Sequence, residues 1–181
     1  MHDVTPARAP RANERVSERA RRGRLLFTWH AVVAARDATP QTTTTMTTTV
    51  VRFSETDGQG VVFNGAYAYY ADAALDGWLE RTMGRRRALE ARDALLAANS
   101  RWTFRKSARF MDRVDVRARV ERWGNSSSFE VRYEGTIGGE ACFEGAVTYV
   151  ATEVDVRTGE RKPVPVPEDI QRALGGTRAR L

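Results

Sequence analysis

Between Gly65 and about Arg81 the chain is apolar on most sides, and no other stretch limits the possible folds so strongly. Ala66, Tyr70, Ala73, Ala74, Leu75, Gly77, Trp78 and Leu79 leave one narrow polar stripe of Asp72, Asp76 and Glu80, spaced four apart. That spacing predicts a helix, and a helix so apolar is buried nearly all round. Small residues at Ala66, Ala68, Ala71, Ala73, Ala74 and Gly77 admit a sheet close to its axis.

The segments around this helix supply such a sheet. Val50–Phe53 reads as a short strand ahead of it, and Asp93–Phe104 as a strand behind it. Val114, Val116, Ala118 and Val120 then alternate with Asp115, Arg117, Arg119 and Glu121, the period of a half-buried strand. Phe129, Val131, Tyr133 and Ile137 repeat the pattern, and Gly138-Gly139 is a two-residue hairpin signal. Ala141–Ala151 is apolar on both faces, as a central strand would be. Lys162–Pro167 is extended by its prolines and leads into a short helix over Glu168–Leu174. One long buried helix with an antiparallel sheet of roughly four or five strands is an α+β layer arrangement. The sheet is expected to curl around the helix.

Residues 1–45 differ in kind. They carry eight arginines against four acids, with Pro6, Pro10 and Pro40, and run into a threonine-rich stretch, Thr42–Thr49, broken only by Met46. A helix over Val16–Ala35 is compatible with the sequence, but nothing downstream requires it. The expectation is a disordered basic extension over 1–45 followed by one domain over 46–181; the competing reading is a natural start at Met46. The apolar run Leu25–Ala35 is short, broken by His30 and followed by Arg36-Asp37, unlike a secretory signal. No run approaches the roughly 18 apolar residues of a membrane span. A cytoplasmic protein is expected.

Removing the extension changes the meaning of the charge. Residues 46–181 hold 21 basic against 19 acidic residues, so the overall +6 does not argue for nucleic-acid binding. Cys142 stands alone in a strand-like setting, which excludes a disulfide framework and a thiolate metal cluster. Both histidines, His2 and His30, precede the domain. Ser-His, Cys-His and Asp-His mechanisms within it are thereby excluded, as is a histidine-bound zinc. Any catalysis there runs on carboxylates, hydroxyls and backbone amides.

Those groups meet between Phe53 and Tyr67. Asp57 sits on a glycine-flanked loop, and seven residues later the chain enters the helix, whose first turn offers free amides. A carboxylate facing a helix N-terminus suits acyl transfer, with a base or nucleophile opposite a place for a developing oxyanion. Asp-Gly is also a common turn dipeptide, and Asn is a common helix cap. From the residues alone, turn and cap roles stay open beside catalytic ones. Glu55 is expected to be solvated, as is the Asp72/Asp76/Glu80 stripe. Arg105, Lys106, Arg109 and Arg113 either meet phosphates or form an exposed charge run.

The stretch Thr56-Asp57-Gly58-Gln59-Gly60-Val61-Val62-Phe63-Asn64-Gly65-Ala66-Tyr67 resembles the hotdog-fold acyl-CoA thioesterases. The nearest branch is the 4-hydroxybenzoyl-CoA and Tol-Pal-associated thioesterase group. Phe104–Val116 and Gly159–Pro167 are similar to that group as well, and the resemblance spans about residues 48–175. It implies a hotdog fold and hydrolysis of an acyl- or aroyl-CoA. Asp57 matches the catalytic carboxylate, acting as nucleophile or as general base on water. Gly60 and Val61 match the segment that brings the thioester past it. Asn64 stands where the oxyanion-binding backbone amide lies, and Tyr67 matches an aromatic lining the acyl pocket. Many Tol-Pal-like members have His at the position of Asn64, so the hydroxybenzoyl-like pattern fits better. The resemblance further implies a homodimer or homotetramer, with acyl sites at subunit interfaces, CoA on basic rim residues, and no cofactor or metal. The alternatives are a thioesterase acting on an acyl carrier protein and a non-catalytic acyl-ligand binding module. A hotdog dehydratase is disfavoured, because that chemistry pairs an acid with His.

Overall fold

A computed structural model describes residues 44–176; the expectations for residues 1–43 lie outside the described residues. The apolar run forms helix α1 (Ala66–Met83), which stops at Gly84, where a φ of +78° suits glycine. Its core face is Tyr67, Tyr70, Ala71, Ala74, Leu75, Trp78 and Leu79, each at most 3 % exposed. Burial is not all round, contrary to the expectation. Tyr69 is 71 % exposed, and Ala73, Asp76 and Glu80 are open on the same side. One sheet covers one side of a helix and cannot enclose it.

Among the described residues that sheet has six antiparallel strands: β1 (Thr44–Val50), β2 (Leu95–Phe104), β3 (Arg113–Trp123), β4 (Ser128–Ile137), β5 (Glu140–Val154) and β6 (Arg161–Pro163). The order is β1-β3-β4-β5-β2, with β6 also pairing β5. Val114, Val116, Phe129, Val131, Tyr133, Phe143 and Tyr149 present their side chains to the core beside α1. Register shifts near Ala97, Val120 and Gly135 bend the strands, as bulges do. The Gly138-Gly139 hairpin is present, both residues having positive φ.

Two boundaries differ from the sequence reading. The strand expected over Val50–Phe53 is β1, whose β-branched threonines pair with β3 over Thr44↔Arg119 to Val50↔Arg113. It ends at Val50, and Phe53–Glu55 forms a 3-10 turn. The second difference is a helix, α2 (Arg85–Ala94), where no element was expected; it displaces the start of the following strand from Asp93 to Leu95. Only Ala88 and Ala91 of α2 are buried, too little apolar surface to produce a visible period. The terminal helix α3 (Glu168–Ala173) follows Pro167 as expected.

Two glycines let aromatic rings cross the sheet. A Cβ on Gly145 would enter the ring of Trp102, and one on Gly135 would enter the ring of Phe143. Gly145→Ala is therefore expected to destabilise the domain by about 1–3 kcal/mol through overpacking. Thermal unfolding checks this, and an unchanged midpoint would refute the tight fit.

The sheet's other face is charged. Arg101 forks onto Glu130 at 2.8 and 2.9 Å, and Arg122 joins at 3.3 Å. Although it lies on the outer face, Glu130 is only 3 % exposed. The Arg101 hydrogen bonds, ahead of its positive charge and that of Arg122, hold the Glu130 carboxyl below the usual range. A carboxyl depressed on folding stabilises the protein above its unfolded value of about 4.3. That contribution is lost as pH falls through the lower folded value. Glu130→Gln should remove this part of the acid limb, so its midpoint falls less steeply than the parent's below about pH 4.3. Parallel curves for the two proteins would contradict the assignment.

Candidate functional site

The loop carrying Asp57 is tightly closed on itself. Thr56 bridges Val62, the Asp57 N–H donates to Val61 O at 2.9 Å, and the Gly60 N–H donates to Asp57 O at 2.9 Å. Gly60 has a φ of +70°, a backbone state that most side chains resist. Asp57 itself is exposed, and its Oδ1 accepts the Gln59 N–H at 2.8 Å. The turn-forming role is therefore present, and it engages one carboxylate oxygen. Among the described residues, no hydrogen bond or ion pair engages Oδ2.

Glu55 ties this loop to the helix. Its backbone carbonyl accepts the Phe63 N–H at 2.9 Å, and its Oε2 accepts the Tyr70 hydroxyl at 2.9 Å and the Arg52 N–H at 2.8 Å. The expectation of a solvated Glu55 is thus corrected: it is half-buried and anchors the loop. Burial and the bond to Glu55 push the Tyr70 phenol well up. No short-range pattern reveals this contact, because the partners are fifteen residues apart.

Asn64 follows, exposed, just before Gly65 and the first turn of α1. Among the described residues, the N–H groups of Asn64 and Gly65 donate to no protein acceptor. The helix start thus presents unsatisfied donors at its positive end. Asn64 makes no side-chain cap in this geometry; Gly65 occupies the cap position. Beside it, Ser54, Glu55, Phe63, Gly65, Ala66 and Tyr69 line a shallow pocket of about 190 Å³. Phe63 and Tyr69 are 58 % and 71 % exposed, and sequence reasoning had not singled out Phe63. Val61 is half-buried and Gly60 exposed on the same loop.

Tyr67 lies deeper, 3 % exposed, against the rings of Tyr70, Phe104 and Phe143. Its hydroxyl accepts the Ala108 N–H at 3.2 Å, and burial pushes its phenol up to about 12. The Ala108 carbonyl in turn accepts the Val62 N–H at 2.8 Å. One residue of the β2–β3 loop therefore holds both the Asp57 loop and the first turn of α1. Cys142 is buried below, with its Sγ 3.1 Å from Lys106 O.

Asp72 is half-buried, while Asp76 and Glu80 of the same stripe are exposed as expected. Arg92 of α2 reaches it at 3.1 Å and Asp76 at 2.6 Å, and the Tyr149 hydroxyl donates to Asp72 at 3.4 Å. Burial raises the Asp72 carboxyl, against the pull of Arg92. These contacts give Asp72 a structural task at the α1–α2 seam.

A family model described as "Thioesterase-like superfamily" matches residues 51–174. No curated relative matches the chain. Among solved structures, a hypothetical protein from Thermus thermophilus is 34 % identical, with a TM-score of 0.61 over 72 % of this chain and 96 % of that one. A thioesterase from the same organism, solved with coenzyme A and zinc, is 25 % identical with a TM-score of 0.62, over 72 % and 90 %. The 4-hydroxybenzoyl-CoA thioesterase of Pseudomonas sp. strain CBS-3 shares the fold at 18 % identity and a TM-score of 0.62, over 72 % and 98 %. The matched span takes in the Asp57 loop, α1 and strands β2 to β6 of the curled sheet, and the chain belongs to the thioesterase-like superfamily of hotdog-fold proteins.

Proposed function

We propose that the protein hydrolyses an acyl- or aroyl-CoA thioester, with Asp57 as the base or nucleophile and the backbone N–H of Asn64 as an oxyanion donor. The observation that carries this reading is the pair of unsatisfied amides at Asn64 and Gly65, held next to a closed loop whose aspartate keeps one oxygen free. A thioester carbonyl is activated already, so a positioned carboxylate and one or two oriented donors suffice. The carboxylate, or the water it deprotonates, attacks the carbonyl carbon. The oxyanion then forms against the helix start and collapses as the thiolate of CoA departs; where the carboxylate itself attacked, water then hydrolyses the mixed anhydride, releasing the free acid and restoring Asp57. Gly60 and Val61 line the approach, Phe63 and Tyr69 offer apolar surface to the acyl group, and Tyr67 supports the floor.

Strand β2 supports the oligomer expected from the family. It closes one end of the sheet order, its outer edge faces no other strand among the described residues, and all but Leu95 and Trp102 of it are exposed. A second copy pairing there would complete an acyl site with side chains from both protomers, as a homodimer or as half of a homotetramer. A carrier-protein-bound acyl group is the second substrate reading; the exposed arginines of the β2–β3 loop favour it only if an acidic partner is present.

Release of free thiol from a panel of aromatic, short-chain and long-chain acyl-CoAs tests the reading. Turnover of at least one class is expected. Binding of acyl-CoA without release of thiol from any of them would leave a ligand-binding module instead.

A further inference from the structure

The two free amides at the start of α1 do not aim themselves. The Val62 N–H goes to Ala108 O at 2.8 Å, the Phe63 N–H to Glu55 O at 2.9 Å, and the Ala66 N–H back to Phe63 O at 2.8 Å. Asn64 and Gly65 therefore form a short bridge whose two ends are both fixed at Phe63. Where Phe63 sits decides where their N–H groups point, and Phe63 hangs from the carbonyl of Glu55. Two residues after Glu55 comes Asp57. A single residue thus stands between the carboxylate and the donors that the proposed reaction brings to one carbonyl.

The side chain of Glu55 accepts two bonds of different kinds, both at Oε2. The Arg52 N–H, at 2.8 Å, closes the 3-10 turn on itself, wherever that turn lies. The Tyr70 hydroxyl, at 2.9 Å, comes from the second turn of α1. It adds nothing to the 3-10 turn; it fixes that turn against the helix. Tyr70 is a stiff post for this purpose, 3 % exposed, with its ring edge-on to that of Tyr67 at 5.8 Å. Among the described residues the bond to Glu55 is the only one its hydroxyl makes. Burial, ahead of Glu55, raises the phenol, so it stays a donor throughout the neutral range. Backbone alone closes the neighbouring loop, at Asp57–Val61 and Asp57–Gly60. A half-buried carboxylate facing a buried phenol carries a desolvation cost that loop closure does not require.

We propose that the Tyr70–Glu55 hydrogen bond is the positioning device of the site, setting the offset between the Asp57 loop and the amides of Asn64 and Gly65. This rests on the thioester-hydrolase reading. In this role neither residue touches a reacting atom; both act through the groups they hold. The amides are called on as charge develops on the carbonyl oxygen, and little before. A helix start that is slightly off line therefore costs turnover and spares substrate binding.

The test uses the full chain and two readouts. Tyr70→Phe removes the donor alone and is expected to lower kcat for the best ester of the panel about tenfold, part of what a lost oxyanion donor costs. KM stays within a factor of about two. Glu55→Ala lowers kcat at least as far, and Y70F/E55A falls no further than Glu55→Ala, because the same bond is lost in both. Glu55→Gln keeps an oxygen that accepts both donors and recovers most of the loss. Tyr133→Phe is the comparison: it takes a hydroxyl from the buried pair with Tyr149, 3.0 Å apart, and lowers the thermal midpoint without lowering kcat. All rates are taken well below the midpoint of each variant. The second readout needs no hydrolysis. In amide NMR spectra of the free protein, the Asn64 and Gly65 signals shift in Tyr70→Phe and stay in place in Tyr133→Phe. Parent kcat in Tyr70→Phe, or a fall with unmoved amide signals, overturns the proposal while leaving the hydrolase reading intact. An equal fall in Tyr133→Phe also overturns it, because any loss within the core would then suffice. A Glu55→Gln loss as deep as that of Asp57→Asn makes Glu55 an acid–base group in its own right and overturns it too. If the parent releases thiol from no ester, the hydrolase reading goes, and the amide signals alone decide whether Tyr70 aims the helix start.

Discussion

Asp57→Asn lowers kcat for thioester hydrolysis by about 10²–10⁴, the typical contribution of a positioned acid-base group. This substitution isolates the charge. An asparagine side-chain oxygen still accepts the Gln59 N–H, so the Asp57–Val61 loop closes as before. Ligand affinity and thermal midpoint are therefore expected to stay near those of the parent. If hydrolysis persists within a factor of about three, far short of the loss expected for a missing acid-base group, the carboxylate is a turn residue only. Trapping of an acyl-enzyme by mass spectrometry on the parent would then separate nucleophile from base.

The second large effect concerns a backbone atom. Asn64→Pro removes the N–H and should lower kcat by about 10²–10³, the loss typical of a missing oxyanion donor. Asn64→Ala keeps the N–H and should leave kcat close to the parent. The contrast is readable because that N–H makes no bond to any of the described residues, so its removal breaks none of the hydrogen bonds among them. Proline is also tolerated near a helix start, where donors are unsatisfied anyway. A circular dichroism melt verifies that α1 is intact. Equal kcat in the proline and alanine variants would assign the oxyanion elsewhere.

The roles proposed for these two positions come from the sequence for different reasons. Asp57 stood out through the glycine-flanked motif, and Asn64 through its place at the entry to an unmistakable helix. The meander from β3 to β5 was equally plain, because strict alternation admits few other structures. Helix α2 was hidden, since two buried alanines among arginines and acids carry no period. Its absence from the reading also misplaced Asp72, whose environment is made by Arg92 on that helix. Glu55 was misread for a similar reason: its partner, Tyr70, lies beyond a loop whose path the sequence does not specify. The open side of α1 was missed because apolar content reports how much surface a helix wants to hide, and not how much one protomer can cover.

Ala108 joins the two halves of the site with its own backbone, taking the Val62 N–H and giving its N–H to the Tyr67 hydroxyl. Neither bond involves a side chain of the β2–β3 loop. The outward residues beyond it can therefore change while the Asp57 loop and the start of α1 keep their alignment. Such a division lets descendants of one hydrolase change what they recognise without relearning how to cut.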